Sequence, residues 1–252
     1  MTDQIFFQPY LPNSLFRPGI DLWLLDCEKT ELPAQFHKFL QEDEIRSANR
    51  YRMAERTRLA FASRVVLRLI LSSYLQIHPH EIDIQRNDYQ KPILEPTHQL
   101  YFNTSHSGSQ ILIGVSRNYT IGVDIEIIQD NIPWQSIAKR TFAPSEVNLI
   151  ENAADPKTMF YKIWTAKESF MKGYGSGFHF PVDRFSITYT TGLHGSVNSS
   201  LPLSPADWSI KNFFVQPNSM AAVAAPANIP HLAGVEVTAE VLIQLAGSWN
   251  IA

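Results

Sequence analysis

Strict alternation of residue types over residues 121–127 constrains the fold more than any other stretch of the chain. The run Ile121–Ile127 reads I-G-V-D-I-E-I. Successive side chains of a β-strand point to opposite faces, so the branched apolar residues predict one buried face and leave Asp124 and Glu126 on the other. These carboxylates would lie about 7 Å apart along the strand. Because like charges at this spacing repel unless water or a cation separates them, the strand predicts either a solvent-facing surface or a metal site.

A second charged pair lies in the stretch Ile163–Lys172, which reads I-W-T-A-K-E-S-F-M-K. A helix is predicted over Lys157–Tyr174, because the glycines within Gly173–Gly177 are typical of a helix end. Glu168 and Lys172 are four residues apart and therefore share one face of that helix. Alone, such a pair is usually only a surface ion pair. Together with the acidic strand, it indicates a site for a divalent cation and a phosphate.

Carboxylate oxygens of this kind favour Mg²⁺, which proteins usually hold with carboxylates and substrate phosphates. Asp124, Glu126 and Glu168 are the candidate ligands. The sequence has no Cys/His spacing typical of zinc sites, no Walker-type glycine loop and no G-x-S-x-G motif. The residues therefore predict magnesium-dependent chemistry at a phosphate or pyrophosphate.

Length and charge narrow the class of protein further. The 252 residues suffice for one large domain or two of ordinary size. The net charge of −3 argues against a nucleic-acid or anionic-membrane partner. Cys27 is the single cysteine, so an intramolecular disulfide is excluded. Met1–Pro12 does not resemble a signal peptide and no apolar run could span a bilayer, so we expect a cytoplasmic protein.

The order of predicted elements is that of an α+β protein. A helix followed by strands occurs twice, with a split near Asn118, which indicates two similar α+β halves. The segment Val235–Ala246 fits either a helix or a strand, and two short helices are predicted over Pro133–Arg140 and Pro144–Ala153. The further predicted strands are Asp21–Cys27, Ile82–Arg86, Leu100–Thr104, Gln110–Ser116, Phe185–Thr190, Gly195–Asn198, Trp208–Val215 and Met220–Ala225.

An arginine-rich segment precedes the second of these strands. Residues from Glu42 to about Tyr74 are predicted to be mostly helical, and Arg56–Leu75 has apolar residues at helical spacing. The arginines can form a solvated helix face or the flank of an anion site. A small polar connection, Ser105–Ser109, is predicted between two strands further on and could approach a ligand closely. The arginines number seven of the 21 Lys and Arg residues: Arg46, Arg50, Arg52, Arg56, Arg58, Arg64 and Arg68.

Four motifs occur in an order that resembles one family. They are Q-K-P (Gln90–Pro92), F-N-T-S-H-S-G (Phe102–Gly108), G-V-D-I-E (Gly122–Glu126) and W-T-A-K-E-S-F-M-K (Trp164–Lys172). Their order and spacing resemble those of the 4′-phosphopantetheinyl transferases of the larger, Sfp-type group. The resemblance extends from about Glu42 to Tyr189 and is loose outside that range.

The resemblance implies an activity and an architecture. The 4′-phosphopantetheine arm of coenzyme A would be transferred to a serine of an apo acyl, peptidyl or polyketide carrier protein, and adenosine 3′,5′-bisphosphate would be released. The enzyme would be a monomer of two pseudo-symmetric halves, residues 1–118 and 119–252. Coenzyme A and the active site would lie in the cleft between these halves.

The resemblance also assigns roles to the charged residues of the two later motifs. Asp124, Glu126 and Glu168 would hold Mg²⁺ against the pyrophosphate. Glu168 would also be the base for the incoming serine, either directly or through a water, because a serine hydroxyl is a weak nucleophile at neutral pH. Lys172 would neutralise charge on the transferred phosphate. Lys167 points about 100° away from Glu168 on a helix and is therefore left out of the catalytic set.

The two earlier motifs would bind coenzyme A. The resemblance places the coenzyme's 3′-phosphate and adenine near a set of polar and basic side chains. An early basic residue of the family falls on Arg46, with Arg50 as an equal choice of alignment. The family often has glycine at the position of Gln90. This difference affects the geometry expected for the local turn, but the lysine that follows is present. The further residues of the implied set are Arg86, Lys91, Asn103, Thr104, Ser105 and His106.

Two other functions are consistent with parts of the sequence. One is a coenzyme A or nucleotide-binding protein without transfer activity, in which the carboxylates are structural. The other is a carrier-protein interaction module whose basic helix binds acidic partners. Asp124, Glu126, Glu168 and Lys172 occurring together favour the transferase, because a binding protein has little use for the whole set.

Overall fold

The fold is mixed α+β, as the order of predicted elements indicates. A computed structural model describes residue 5 and residues 7–9, 19–175, 182–199, 208–226, 228–229 and 231–249. Two five-stranded sheets and a two-stranded ribbon lie within these ranges. None of the helices in these ranges is long and apolar enough to cross a bilayer.

The helices agree with the prediction. The arginine-rich segment is mostly helical, as expected, and forms two helices with residues 49–53 between them. The end of the chain contains both a strand and a helix, because Thr238 accepts a hydrogen bond from the Val241 amide and caps the helix there. The helices are α1 (Glu42–Ala48), α2 (Ala54–Leu75), α3 (Trp134–Thr141), α4 (Pro144–Glu151), α5 (Pro156–Tyr174) and α6 (Ala239–Ala246).

Most strands also lie where they were predicted. The expected strand Ile82–Arg86 is wrong in part, because only its last two residues pair. The strands are β1 (Phe7–Pro9), β2 (Ile20–Asp26), β3 (Gln85–Arg86), β4 (Pro92–Ile93), β5 (Tyr101–Ser107), β6 (Gln110–Ser116), β7 (Gly122–Ile127), β8 (Phe185–Thr191), β9 (His194–Ser199), β10 (Ser209–Gln216), β11 (Ser219–Ala225) and β12 (Leu232–Glu236).

One strand pattern recurs in the two large sheets. The first has the order β1-β12-β2-β6-β5 and the second has the order β7-β11-β10-β9-β8. In the first sheet, β2 precedes the long helix α2 and pairs antiparallel with β6, the later strand of the hairpin β5–β6. In the second sheet, β7 precedes the long helix α5 and pairs antiparallel with β11, the later strand of the hairpin β10–β11. The C-terminal strand β12 returns to the first sheet, where it lies parallel to β2 and β1. Helix α6 contributes to the same hydrophobic core as α2.

Both faces of β7 are covered, which decides between its two predicted environments. Val123 and Ile125 lie in a core with Leu22 and Leu112 of the first sheet and Phe213 of the second. Helix α5 packs over the opposite face of β7 and over β11. Asp124 is 3% exposed. The reading of β7 as a solvent-facing strand is therefore wrong, and Asp124 is a carboxylate inside the protein.

The two large sheets meet where β5 runs beside β7, joined by side chains. Asn103 Oδ1 accepts a hydrogen bond from the Val123 amide at 2.9 Å, and Ser107 Oγ accepts one from the Ile127 amide at 3.1 Å. The prediction that Ser105–Ser109 is a loop is wrong, because β5 continues to Ser107 and only Gly108 and Ser109 form the turn. Small polar residues continue the strand here because β7 supplies partners for their side chains.

Close contact between α5 and β7 depends on a pair of glycines. A Cβ atom on Gly122 would lie 1.9 Å from the carbonyl oxygen of Ser169 and 2.3 Å from the amide nitrogen of Gly173. Both of these atoms belong to the backbone of α5, so they cannot rotate away. The two glycines let the helix backbone rest directly on the strand, and this contact sets the distance between Lys172 and Asp124.

Replacing Gly122 by alanine should lower the free energy of unfolding by at least about 3 kcal/mol, since backbone atoms must move to admit the methyl group. Urea denaturation followed by circular dichroism would measure this loss. Gly192→Ala is the matched control, because Gly192 has φ +49° but no heavy atom within 4 Å of its added Cβ. We expect that control to lose only about 1 kcal/mol. Similar losses for the two variants would contradict the close-contact explanation.

Candidate active site

The ends of helix α5 position its charged residues. Asp155 caps the first turn by accepting a hydrogen bond from the Thr158 amide at 3.1 Å, and Pro156 is the first helical residue. Gly175 ends the helix with a left-handed φ of +85°, as the glycines there predicted. Glu168 and Lys172 consequently face β7 from the last two turns of α5.

An ion pair joins Lys172 to Asp124 across the helix–strand contact. Lys172 Nζ lies 2.6 Å from Asp124 Oδ1, and the lysine side chain is 31% exposed while that of Asp124 is 4% exposed. Ser105 of β5 donates to the same Oδ1 from 2.8 Å, and its oxygen accepts from Lys172 Nζ at 2.9 Å. Three elements thus meet at one carboxylate oxygen.

The second oxygen of Asp124 has no hydrogen-bond partner. Oδ2 is buried and makes no hydrogen bond with any described residue. A buried carboxylate oxygen without a donor is costly unless something positive is bound there. This oxygen therefore has the property expected of a ligand for a metal ion.

Glu126 is held by Ser107 and is close to the other carboxylates. Ser107 donates to Glu126 Oε2 at 2.7 Å, and Trp164 of α5 lies close enough to lower the pKa of the carboxyl group. Burial raises the pKa of Glu126, and the charge of Asp124 raises it further, against the lowering effects of Ser107, Lys172 and Trp164. The Glu126 carboxylate is therefore held by Ser107 within reach of the negative charge of Asp124.

Glu168 has a pKa that its surroundings raise close to neutrality. It makes no hydrogen bond or ion pair with other residues in the described ranges, and it is half-buried. Burial raises the pKa of Glu168 to about 7, and Asp124 and Glu126 add to this rise while Lys172 opposes it. A carboxyl group with a pKa near neutrality can exchange a proton at physiological pH.

The structure brings together all four charged residues predicted from the strand and the helix. Asp124 is near enough to raise the pKa of both Glu126 and Glu168, Glu126 also raises the pKa of Glu168, and Lys172 contacts Asp124 directly. Within the described residues, no three Asp, Glu, His or Cys side chains already have the arrangement of a metal site. The ammonium of Lys172 lies against Asp124 and partly neutralises the acidic group.

His106 lies apart from these carboxylates, in a groove of about 610 Å³. Because residues alternate along β5, His106 points away from Ser105 and Ser107, and it is exposed. Arg56 and Arg58 of α2 line the same groove. The two exposed arginines outnumber Glu55, the one carboxylate among the described lining residues, so the groove suits an anionic ligand. The other lining residues include Tyr51, Met53, Leu59 and Ser109.

The other residues expected at coenzyme A do not gather around His106. Arg46 is exposed on α1 and pairs with Glu42 at 3.3 Å. Arg86 is exposed and donates to the carbonyl oxygen of Gln90. Lys91 lines a separate cavity of about 210 Å³ near the end of α5. Asn103 and Ser105 bind β7, while Thr104 is half-buried within β5 and Arg50 is exposed after α1.

Lys167 is structural, consistent with leaving it out of the catalytic set. Its ammonium lies 2.6 Å from Glu146 Oε2, and the two side chains are 1% and 2% exposed. It also donates to the carbonyl oxygen of Phe185, while Glu146 Oε1 accepts from the Ile187 amide. The pair ties α4 and β8 to the outer side of α5.

Ser107 and Trp164, which lie beside Glu126, were not predicted in this role. Arg56 and Arg58 were predicted to form either a solvated helix face or the flank of an anion site, and both line the groove of His106. Trp164 stacks on Phe160, and Phe160 stacks in turn on Phe142, which lies before α4. A predicted strand extended through Ser107 would have indicated the role of Ser107, because this residue lies two positions after Ser105 and therefore shares its face of β5.

Two family models match this chain. The model described as the 4′-phosphopantetheinyl transferase superfamily matches residues 120–224, which include Asp124, Glu126 and α5. The model described as 4′-phosphopantetheinyl transferase, N-terminal, matches residues 29–117, which include α2 and β5. Together these matches include both the carboxylate cluster and the groove of His106.

Curated relatives agree with the family models. The chain is 31% identical over 223 residues to 4′-phosphopantetheinyl transferase HetI of Nostoc sp., covering 86% of this chain and 92% of that protein. It is 31% identical over 201 residues to 4′-phosphopantetheinyl transferase Sfp of Bacillus subtilis, covering 78% of this chain and 87% of that protein. Human L-aminoadipate-semialdehyde dehydrogenase-phosphopantetheinyl transferase is 28% identical over 185 residues, covering 66% of this chain and 59% of that protein. The chain therefore belongs to the 4′-phosphopantetheinyl transferases of the Sfp-like type and is an enzyme of that family.

Proposed function

We propose that the chain transfers the 4′-phosphopantetheine arm of coenzyme A to a serine of an apo carrier protein, with Mg²⁺ bound at the carboxylate cluster. Adenosine 3′,5′-bisphosphate would be the second product. The observation that carries this proposal is the cluster of Asp124, Glu126 and Glu168, backed by Lys172 and containing one buried oxygen without a donor.

The cluster fits a hard divalent cation. Its donors are carboxylate oxygens, Asp124 raises the pKa of both glutamates, and Asp124 Oδ2 lacks a hydrogen bond with any described residue. Asp124, Glu126 and Glu168 would hold Mg²⁺, which when bound supplies positive charge against the pyrophosphate oxygens. Ser107 keeps Glu126 oriented for this role.

Lys172 and Glu168 would act on the transferred group and on the acceptor. In the proposed step, the serine oxygen bonds to the phosphorus that carries pantetheine, and the bond from that phosphorus to the bisphosphate breaks. Lys172 lies on the cluster and would neutralise charge growing on the phosphate. Glu168, with its pKa near 7, would take the serine proton directly or through a water.

Coenzyme A would enter by the groove of His106, Arg56 and Arg58. Its volume of about 610 Å³ and its cations suit a ligand that carries several phosphates. On this proposal, Arg56 and Arg58 take the place of Arg46, which lies on α1 in an ion pair with Glu42. Asn103 and Ser105 would connect the groove to the cluster, since they contact β7 from the strand that carries His106. Thr104 lies on the same face of β5 as His106 and would line the way to the groove.

The two large sheets support the proposal of two halves, residues 1–118 and 119–252, with the active site between them. The carboxylates lie on β7 and α5, His106 lies on β5, and the recurring strand pattern is compatible with a pseudo-two-fold relation. On this proposal, β12 and α6 cross back to complete the first half. We further propose that the enzyme works as a monomer in the cytoplasm.

Intact-mass spectrometry of a carrier protein tests the proposed function. The protein, coenzyme A, Mg²⁺ and an apo carrier should give a carrier that is heavier by one phosphopantetheine, and EDTA should prevent the gain. Fatty-acid, polyketide and peptide-synthetase carriers should be tried in parallel. An unchanged mass for all three would favour a coenzyme A-binding protein without transfer activity. Carrier binding that is independent of Mg²⁺ and gives no product would favour an interaction module.

A further inference from the structure

Lys91 is held by a turn that points it at the end of α5. The turn lies between β3 and β4, and Gln90 adopts a left-handed φ of +66° there, a conformation that glycine adopts most easily. Asn87 Oδ1 accepts from the Lys91 amide at 2.9 Å, and Asn87 Nδ2 donates to the carbonyl oxygen of Gly175 at 3.3 Å. The turn is therefore fastened to the residue that ends α5.

The ammonium of Lys91 contacts three acceptors of the protein. Nζ donates to the carbonyl oxygen of Gly173 at 2.9 Å, to Thr120 Oγ1 at 3.2 Å and to the carbonyl oxygen of Ile121 at 3.3 Å. A lysine ammonium has three N–H donors, so these acceptors occupy all of them. Lys91 is then left without a donor for the 3′-phosphate that the family resemblance assigns to it.

These acceptors lie on both sides of the close contact between α5 and β7. Gly173 belongs to the last turn of α5, whose carbonyls have no partner within the helix and attract a positive charge. Thr120 and Ile121 directly precede β7, and Thr120 Oγ1 also donates to the Gly173 carbonyl at 3.2 Å. Lys91 thus bridges the end of the catalytic helix and the start of the acidic strand.

We propose that Lys91 is a positioning residue, which fixes the end of α5 against β7 and so places Lys172 and Glu168 on the carboxylate cluster. Lys172 directly precedes Gly173 in the sequence, and Asp124 follows Ile121 by three residues. A shift of α5 along β7 would therefore change the Lys172–Asp124 distance of 2.6 Å. Burial lowers the pKa of Lys91 to about 8, which is consistent with contacts to neutral acceptors. The catalytic part of this proposal rests on the proposed transferase function.

Kinetics with two co-substrates distinguish positioning from phosphate binding. Lys91→Met keeps the aliphatic stem and removes the ammonium. We expect kcat to fall by about tenfold to a hundredfold. The factor should be the same with coenzyme A and with 3′-dephospho-coenzyme A. The Mg²⁺ concentration that gives half of the maximal rate should rise. Thr120→Val removes one acceptor and should give a smaller loss of the same kind. Lys38→Met, at an exposed lysine before α1, should leave both rates unchanged.

Hydrogen–deuterium exchange tests the bridge without any activity. The amides of residues 171–175 should exchange about tenfold faster in Lys91→Met, because the last turn of α5 loses its support. Unchanged exchange would overturn the bridge, and faster exchange with normal kcat would overturn its catalytic importance. A loss of rate that occurs with coenzyme A but not with 3′-dephospho-coenzyme A would show that Lys91 binds the 3′-phosphate. If the wild-type enzyme transfers nothing, the proposed function fails, while the exchange experiment still decides whether the bridge exists.

Discussion

Asp124→Asn should lower kcat/KM for carrier modification by about 10³-fold or more while the protein stays folded. The amide keeps the shape of the carboxylate, and its oxygen can still accept from Lys172 and Ser105. The amide nitrogen would replace Oδ2, the buried oxygen without a donor. A neutral amide cannot offset a divalent cation there, so Mg²⁺ binding and transfer should be lost together.

Steady-state transfer assays and calorimetric titration with Mg²⁺ measure the two effects of this variant. The change in the free energy of unfolding should remain within about 2 kcal/mol, since Lys172 is partly exposed and can be solvated. Asp130→Asn is the matched control, because Asp130 follows β7 in the chain but its side chain is 94% exposed and pairs with Lys157. Normal turnover of Asp124→Asn with Mg²⁺ would show that the cluster is assigned wrongly, even though the family is shown.

Glu168→Gln should lower kcat by about 10²–10⁴-fold, the range expected for loss of a general base. Glutamine keeps the size of the side chain on α5 but can neither carry the negative charge nor take a proton. Rapid-quench measurement of one turnover would separate this chemical defect from slow product release. Glu151→Gln, at an exposed carboxylate of α4 paired with Lys139, should transfer normally. Transfer by Glu168→Gln within a few-fold of wild type would eliminate Glu168 as the base.

The raised pKa of Glu168 also predicts how stability depends on pH in EDTA. Because the folded protein binds this proton more tightly than the unfolded chain, the stabilisation is present at low pH and is lost as pH rises from about 4.5 to about 7. Urea denaturation at pH 5.5 and pH 8 should therefore show a smaller pH-dependent loss in Glu168→Gln than in wild type. Mg²⁺ should stabilise wild type more at pH 8 than at pH 5.5, since protons compete for the carboxylate. Equal pH dependence in the two proteins would contradict the raised pKa.

Structural features that depend on residues close together in the chain were predicted well. The alternation of Ile121–Ile127 gave the strand and the shared face of Asp124 and Glu126, and the spacing of Glu168 and Lys172 gave the helix face. The glycine after Tyr174 marked the helix end. These features depend on backbone geometry over a few residues, which the order of residue types expresses directly.

Features that depend on distant partners were missed. The strand β5 continues through Ser105 and Ser107 because β7, some 20 residues later, supplies partners for their side chains. The return of β12 to β2 joins residues more than 200 apart in the chain. No local pattern contains such information, because the pairing partner lies outside the window in which periodicity is read.

The sequence by itself determined that two carboxylates share a strand face, that a third lies one turn before a lysine on a helix, and that four motifs follow the order of one family. Only the tertiary structure decided that the acidic face of β7 is buried beneath α5, that Asp124 has an oxygen without a donor, and that His106 lies in a groove with Arg56 and Arg58. It also decided that the ammonium of Lys91 contacts the Gly173 carbonyl, 82 residues away in the chain. The physical reason is that burial and unsatisfied polar atoms are properties of packed elements, whereas the sequence pattern shows only which faces are available for packing.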